Sequence, residues 1–590
     1  MADGGTINIL SPVYIKVTNG AAGVASINTN GNINIAAGST IEVNNGYAVY
    51  SDGTGKIDMQ NSTIILGGNA TAFDIYKSGV NPLTVTGTTV KVVSNDVIVF
   101  NVKNITTPLD VSTLETSINP GVTVTNDGIH TQYVEAAVDK ATINVDTALN
   151  KANISGPSFY FYNRFIAQNS ILNVNNNATA ELATTSTGSA LGGDSYKGQV
   201  IALEMNASKS ATSNATTQIN INSSATVKAA RTDAGKGAVG VFINYGQINN
   251  DGTIEIQKGY TSVKGGTGIY ATNGSAVDNK TTGKIDVYGE EALGIYATAW
   301  RKTSLGTLAG EEFGGAALNQ GTTSVGNNGN ITTNGDKSVG RYLENNSRDV
   351  SLAPGMDRTI TATNAGTITV GKDSIGMYAS GTGAGNEAET KISNTNNLKI
   401  GENSTGIYGE NGVTVTNIGN LELGKGATGI ALSTDSVISS TASIGTITSA
   451  GAAGDRVVIA ISGDTSAVPI ATAIQVPTGV IDTTGIGNVT SLYVQGATGA
   501  STTGTTTMKL GANGVGIYVN NGSASNDGKI EMTSGKINAV GMYTKKGTVT
   551  NNGTIEVGDS TQLGMVAVTN SGIVINNGTI DLKSQGAAGI

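Results

Sequence analysis

Asn250-Asp251-Gly252-Thr253-Ile254-Glu255-Ile256 is the stretch on which the fold turns. An Asn/Gly corner leads into alternating residues. Ile254 and Ile256 point to one side, Thr253 and Glu255 to the other, which is the period-2 pattern of a half-buried strand. The string returns as Asn364-Ala365-Gly366-Thr367-Ile368-Thr369-Val370, as Asn526-Asp527-Gly528-Lys529-Ile530, as Asn552-Gly553-Thr554-Ile555-Glu556-Val557 and as Asn577-Gly578-Thr579-Ile580-Asp581-Leu582. A second string, Gly-Ile-Tyr, begins at Gly268, Gly294, Gly406 and Gly516. Its variants are Gly340-Arg341-Tyr342, Gly376-Met377-Tyr378, Gly429-Ile430-Ala431, Gly541-Met542-Tyr543 and Gly564-Met565-Val566.

The spacing of that glycine sets the period. From 268 to 294 is 26 residues, from 406 to 429 is 23, and the steps from 516 through 541 and 564 to 589 are 25, 23 and 25. A helical solenoid would show 3.6-residue periodicity and few glycines, whereas these units show strands between Gly/Asn corners. Asn and Gly tolerate the left-handed conformation of a tight corner, so the corner of each Asn-x-Gly string is expected to adopt it. One unit cannot bury its apolar face alone; stacking coil on coil does so and pairs each strand with its counterpart. The predicted fold is all-β, a right-handed parallel β-helix (solenoid) with coils of about 23–26 residues and loop insertions. At ~4.8 Å per strand step, about 20 coils would make a rod on the order of 100 Å long.

Residues 250–590 carry the regular repeats and residues 1–249 an irregular N-terminal part of the same solenoid, where apolar clusters such as Tyr47-Ala48-Val49-Tyr50 and Phe73-Asp74-Ile75-Tyr76 keep the beat. Insertions are expected at 299–326 and 345–358, and degenerate coils over 433–505, near Val457-Val458-Ile459-Ala460 and Ser491-Leu492-Tyr493-Val494. The chain stops at Ala588-Gly589-Ile590, inside a motif that other copies continue with Tyr, so a longer natural chain is expected. The facing of Gly-Ile-Tyr is open. Arg341 in the Ile slot, and Lys77 if Ile75-Tyr76 is aligned, favour Tyr inward and Ile outward, which would put an Ile/Met stripe on the outside and give weak self-association a surface.

Composition removes several functions. There are no cysteines, so disulfides, thiolate nucleophiles and Cys-ligated metals are excluded, and His130 is the sole histidine. Charged residues are 13%, below the ~25% of ordinary domains. A net charge of −9 with no basic stripe argues against nucleic acid as partner. The start, Met1-Ala2-Asp3-Gly4-Gly5, is not a signal peptide, and no apolar run reaches the ~18 residues of a membrane-spanning helix, so direct membrane insertion by this chain is not expected.

Function concentrates in loops on rigid scaffolds, and Trp and Arg are enriched at binding hot spots. The insertions therefore supply the candidate partner-binding residues: Trp300, Arg301, Lys302, Glu311, Glu312 and Phe313 in the first, Arg348 and Arg358 in the second. The plain alternative is tolerated surface excursions. The aromatic run at 159–165, with Arg164, reads as core more readily than as a sugar or peptide platform. Catalytic constellations are not visible. Asp251, Asp286, Glu531, Glu556 and Asp581 occupy outward slots and read as solvated surface; Glu311 and Glu312 are adjacent and make a poor acid/base pair. His130 has no triad context, Gly558-Asp559-Ser560 is followed by Thr561 rather than Gly, and no calcium nonapeptide, P-loop or dinucleotide fingerprint occurs. No enzyme activity, catalytic residue, metal or cofactor is expected.

The spaced Asn-Gly-Thr-Ile and Gly-Ile-Tyr strings resemble the passenger repeats of the very large type Va autotransporters of fusobacteria, the RadD-like outer-membrane adhesins, clearly over residues 250–590 and more thinly upstream. The resemblance implies a β-helical passenger on the bacterial cell surface, anchored through a C-terminal outer-membrane β-barrel outside this chain. It implies adhesion to other bacteria or host cells, with a host-cell receptor or a bacterial surface protein or glycan as partner, as in coaggregation, biofilm and virulence. A pure stalk with its ligand site elsewhere, and a β-helical polysaccharide lyase or hydrolase, are the rival readings.

Overall fold

The alternation of Thr-Ile-Glu-Val carries through to three dimensions. A computed structural model describes residues 1–76, 83–93, 97–103, 109–110, 114–118, 133–139, 142–145, 148–154, 161–168, 170–184, 201–206, 214–231, 237–259, 264–299, 322–345, 359–382, 390–433, 435–463 and 476–590. These form two compact units, one built on Met1–Tyr296 and one on Ser324–Ile590. Each is an all-β parallel solenoid, consistent with a right-handed parallel β-helix. Among the described residues there is no α-helix, only a single 3-10 turn at Asn214–Thr216.

Where a coil is fully described it mostly carries three strands, each paired in parallel with its counterpart one coil on. In the first unit, Tyr47–Ser51, Ile57–Gln60 and Thr63–Gly67 pair in parallel with Thr71–Tyr76, Leu83–Thr86 and Thr88–Val92 one coil on. In the second, Ile360–Asn364, Thr367–Val370 and Ile375–Ser380 pair with Thr390–Asn394, Asn397–Ile400 and Thr405–Glu410. The long step between Gly429 and Gly516 holds two coils, whose strands Arg456–Ser462 and Val489–Ser501 carry the stack across it.

The core is the inward half of each strand. Ile254 and Ile256 are fully buried while Thr253 and Glu255 stay half-exposed, and the same pattern holds at Thr367–Val370 and Thr554–Val557. Burying one such Ile or Val side chain is worth roughly 1.5–3 kcal/mol. Gly-Ile-Tyr faces the opposite way from the sequence expectation. Ile407, Ile430, Ile517, Met377 and Met542 are all buried, and Tyr378, Tyr408 and Tyr518 lie outside. The Ile/Met stripe therefore lies in the core and offers no outer contact surface.

Arg341 misled that reading because a charged residue usually marks the surface. Here it occupies the Ile slot and is fully buried. Its Nη2 donates to the Val325 carbonyl, its Nε and Nη1 have no partner, and burial lowers its pKa to about 9. Lys77 lies outside the described residues.

The left-handed corner also moves. It is not in the Asn-x-Gly string but three residues ahead of the Gly of Gly-Ile-Tyr, at Asp373 (φ 53°), Asn403 (φ 53°), Gly426 (φ 71°), Asn513 (φ 53°) and Asn538 (φ 56°). The motif glycines answer to space instead. A Cβ on Gly376 would stand 2.5 Å from the Gly406 carbonyl oxygen, and one on Gly406 would stand 2.4 Å from that of Gly429. The Asn of the corner works inside. Asn327 donates to Asn364 (2.6 Å) and Asn364 to Asn394 (2.6 Å); Asn526 donates to Asn551 (2.8 Å) and Asn551 to Asn576 (2.8 Å). Such ladders satisfy buried amides coil by coil.

Candidate functional site

In the second unit one sheet splits. Gly419–Leu423 and Ile444–Ser449 pair with a register shift between Gly419 and Leu421, and Gly419 adopts φ 62°. The next strand on that side, Gly479–Asp482, belongs to a separate five-stranded sheet and touches the earlier one by a lone bridge, Ser443 to Thr478. The split opens a cleft of about 510 Å³ lined by Asn420, Thr446, Ile447, Val480, Asp482 and Thr484. That volume lies in the range of small-ligand sites.

The cleft has a fixed polar wall and an apolar one. Asn420 donates through Nδ2 to Asn397 Oδ1 (3.0 Å) and accepts the Thr446 N–H (2.8 Å), which locks its amide. Val480 is 45% exposed and supplies the apolar wall. Asp482 Oδ1 accepts the N–H (2.9 Å) and hydroxyl (2.6 Å) of Thr484. Burial pushes the Asp482 carboxyl up, but the Thr484 hydrogen bonds and the nearby Lys509 and Lys536 outweigh it and hold the pKa below the usual value. Asp482 heads an outward column in register: Asp482, Lys509, Glu531, Glu556, Asp581. Lys529 bridges two of its members, Glu531 (3.3 Å) and Glu556 (2.9 Å). Among the described residues no group of three or more His, Asp or Glu side chains is placed to hold a metal ion, and no helix is long and apolar enough to cross a membrane.

A different face carries tyrosines. Tyr342, Tyr378 and Tyr408 stack on successive coils, with centroids 4.5 and 5.7 Å apart. Tyr493, Tyr518 and Tyr543 make a second run, packed edge to face at 5.3 and 4.8 Å. Glu410 receives the Tyr378 hydroxyl and, at 3.3 Å, that of Tyr408.

The eight residues proposed from sequence, Trp300, Arg301, Lys302, Glu311, Glu312, Phe313, Arg348 and Arg358, all lie outside the described residues, as does His130. The aromatic run lies in part on the strand Phe161–Gln168, whose side chains are also outside them. Sequence reading missed the cleft and the charge column because each joins residues a coil or more apart. The signal available was Val480, an apolar residue in an outward slot.

The family model described as BigA third pectate lyase-like domain matches residues 384–589, which include the cleft, the second tyrosine run and Tyr408 of the first. No curated protein matches the chain. Among solved structures, a PL6 family alginate lyase, AlyGC, aligns over 98% of this chain and 97% of its own at 9% identity and a TM-score of 0.16, a superposition from which no shared site is read. The pectate lyase-like match overturns the expectation of a chain without enzyme character: the region from 384 to 589 points toward a lyase fold. The expectation counted carboxylates and lysines as scattered one or two per coil, whereas coil stacking sets some of them in register, as with Asp482 and Lys509.

Proposed function

We propose that this chain is the passenger of a surface-exposed autotransporter adhesin, anchored by a barrel outside it, whose outer faces and loops hold a partner on another bacterium or a host cell. The observation that carries the reading is the split sheet, which turns a repetitive wall into a cleft with one apolar and one polar side at Val480 and Asp482. The motif resemblance and the surface-type repeat support it; the fusobacterial assignment rests on the motifs alone. The test is capture of partner bacteria or host cells by the purified chain, with residues 299–326 deleted in a parallel variant. Capture by the parent chain supports the reading, and capture that survives the deletion places the contact outside that insertion. A chain that captures no cell would count against the adhesin reading and in favour of a spacer or of the second reading below.

A second reading is cleavage of an acidic polysaccharide, favoured by the pectate lyase-like family model and by Asp482 and Lys509 standing side by side within the matched region. Its test is release of unsaturated products from polygalacturonate and alginate. Release lost on Lys509→Ala would establish it, and no release from either polymer would set it aside.

A further inference from the structure

The tyrosine column of the second unit lacks two rungs. In register from one coil to the next the outward position reads Tyr342, Tyr378, Tyr408, Ala431, Ala460, Tyr493, Tyr518, Tyr543. Three strand steps of ~4.8 Å separate Tyr408 from Tyr493, roughly 14 Å, floored among the described residues by the methyl groups of Ala431 and Ala460, which remain partly exposed. One face of the Tyr408 ring is covered by Tyr378, 4° from parallel. The other faces the coil of Ala431.

The polar end of this slot is built as well. The two tyrosines that flank the slot each run along their own strand toward the residue two positions on: Tyr408 to Glu410 (3.3 Å) and Tyr493 to Gln495 (2.7 Å). Where the rings are missing, the same positions are Ser433 and Ser462, and Ser433 already meets the Tyr408 hydroxyl at 3.4 Å. The slot thus offers an aromatic face and, beside it, a carboxylate, two hydroxyls and an amide.

We infer that this slot binds the terminal sugar ring of a neutral glycan, deepening the adhesin reading on which it rests. A sugar presents an apolar face of C–H groups to the aromatic ring and several hydroxyls to the rim, the pairing of apolar body with few placed polar groups that ligand sites use. Charge narrows the class. The outward positions of the four strands are Thr405, Tyr408 and Glu410, then Thr428, Ala431 and Ser433, then Val457, Ala460 and Ser462, then Thr490, Tyr493 and Gln495, with no Lys or Arg among them. The nearby Arg456 is buried, and its guanidinium is engaged by the carbonyls of Leu423, Gly454 and Ala452. Glu410 therefore repels uronates and sulfated sugars while accepting hydrogen bonds from hydroxyls. A partner's tyrosine would bring a single hydroxyl to this rim, where a sugar ring brings several.

The test fills the slot. Cellohexaose, laminarihexaose and galactohexaose, with polygalacturonate and alginate beside them, are titrated calorimetrically into the whole chain and into Ala431→Tyr, Ala460→Tyr and Tyr408→Ala. The expected result is saturable binding of at least one neutral hexasaccharide, weakened at least about tenfold in all three variants. The two filling variants restore the motif's own residue, so unchanged circular dichroism and melting separates a blocked slot from a misfolded chain. No binding by any neutral sugar, equal binding by the filled variants, or an acidic polymer that competes at the same place would overturn the proposal. So would capture of deglycosylated cells that is lost on Ala460→Tyr, which would assign the slot to a protein side chain. Cell capture that survives filling removes the slot and leaves the adhesin reading; absence of any capture removes that reading instead.

Discussion

Tyr378 lies between two partners at once: it stacks on Tyr408 at 5.7 Å and gives its hydroxyl to Glu410, the carboxylate that the Tyr408 hydroxyl also reaches. A phenol half-buried in a ladder and hydrogen-bonded to a carboxylate resists losing its proton, since the phenolate would be desolvated and would face a like charge.

The pH dependence follows. Burial first, and then the Glu410 hydrogen bond, raises the Tyr378 pKa above its ordinary value. A raised folded pKa gives stability that is whole below the unfolded value of about 10 and is lost as pH rises above it, because the unfolded chain releases a proton that the folded chain keeps. Alkaline absorbance titration of the chain and of Tyr378→Phe should differ by a phenol that ionises only with unfolding. A difference showing ordinary ionisation in the native state would refute the assignment.

Gly406→Ala should destabilise the second unit by about 1–3 kcal/mol, because the added methyl meets a backbone carbonyl that cannot yield without moving a coil. Gly485, where an added methyl would find nothing within 4 Å, is the control, and its Ala variant should stay within about 0.5 kcal/mol. Equal melting of the two variants would contradict the close-approach explanation of the motif.

Asn551→Ala should cost about 1–3 kcal/mol, since it removes the rung that accepts from Asn526 and donates to Asn576, and leaves the Asn526 amide only long contacts (3.4 Å) to the Gly528 and Thr554 carbonyls. Hydrogen exchange should report the loss locally, at residues 526–528 and 551–554. Unaltered exchange there would show that the buried ladder contributes no net stability.

Arg341→Met places the residue found at the next rung, Met377, in the same slot. A fully buried guanidinium with two unpartnered nitrogens is a cost, and apolar replacement of buried charge is commonly stabilising by about 1–4 kcal/mol. The melting temperature of the variant should rise. A fall would mean that the charge has a compensating role.

The repeat was legible because its causes are local in sequence: alternation in Thr554–Val557, glycine at fixed steps, Asn at the corner. What misread was the cause behind each letter. The corner glycines looked conformational and are spatial, and the left-handed turn belongs to other positions, such as Asp373 and Asn403, of the residue types that tolerate it but outside the Asn-x-Gly string. Arg341 inverted the facing of Ile and Tyr because charge normally reports solvent. The cleft and the slot were out of reach for another reason. Val480 shares a cleft with Asn420, and Ala460 comes into register with Tyr493, only once the stack is known, and that juxtaposition has no trace in a linear window.

The glycine-to-carbonyl seat has a genetic consequence. Gly340, Gly376, Gly406 and Gly429 each receive the next coil through the same backbone oxygen, whatever side chains surround it. A coil copied or excised by recombination between those points would meet its new neighbour through an unchanged joint. Length can thus change by whole coils while the coils on either side of the joint keep their register and the walls they build stay continuous.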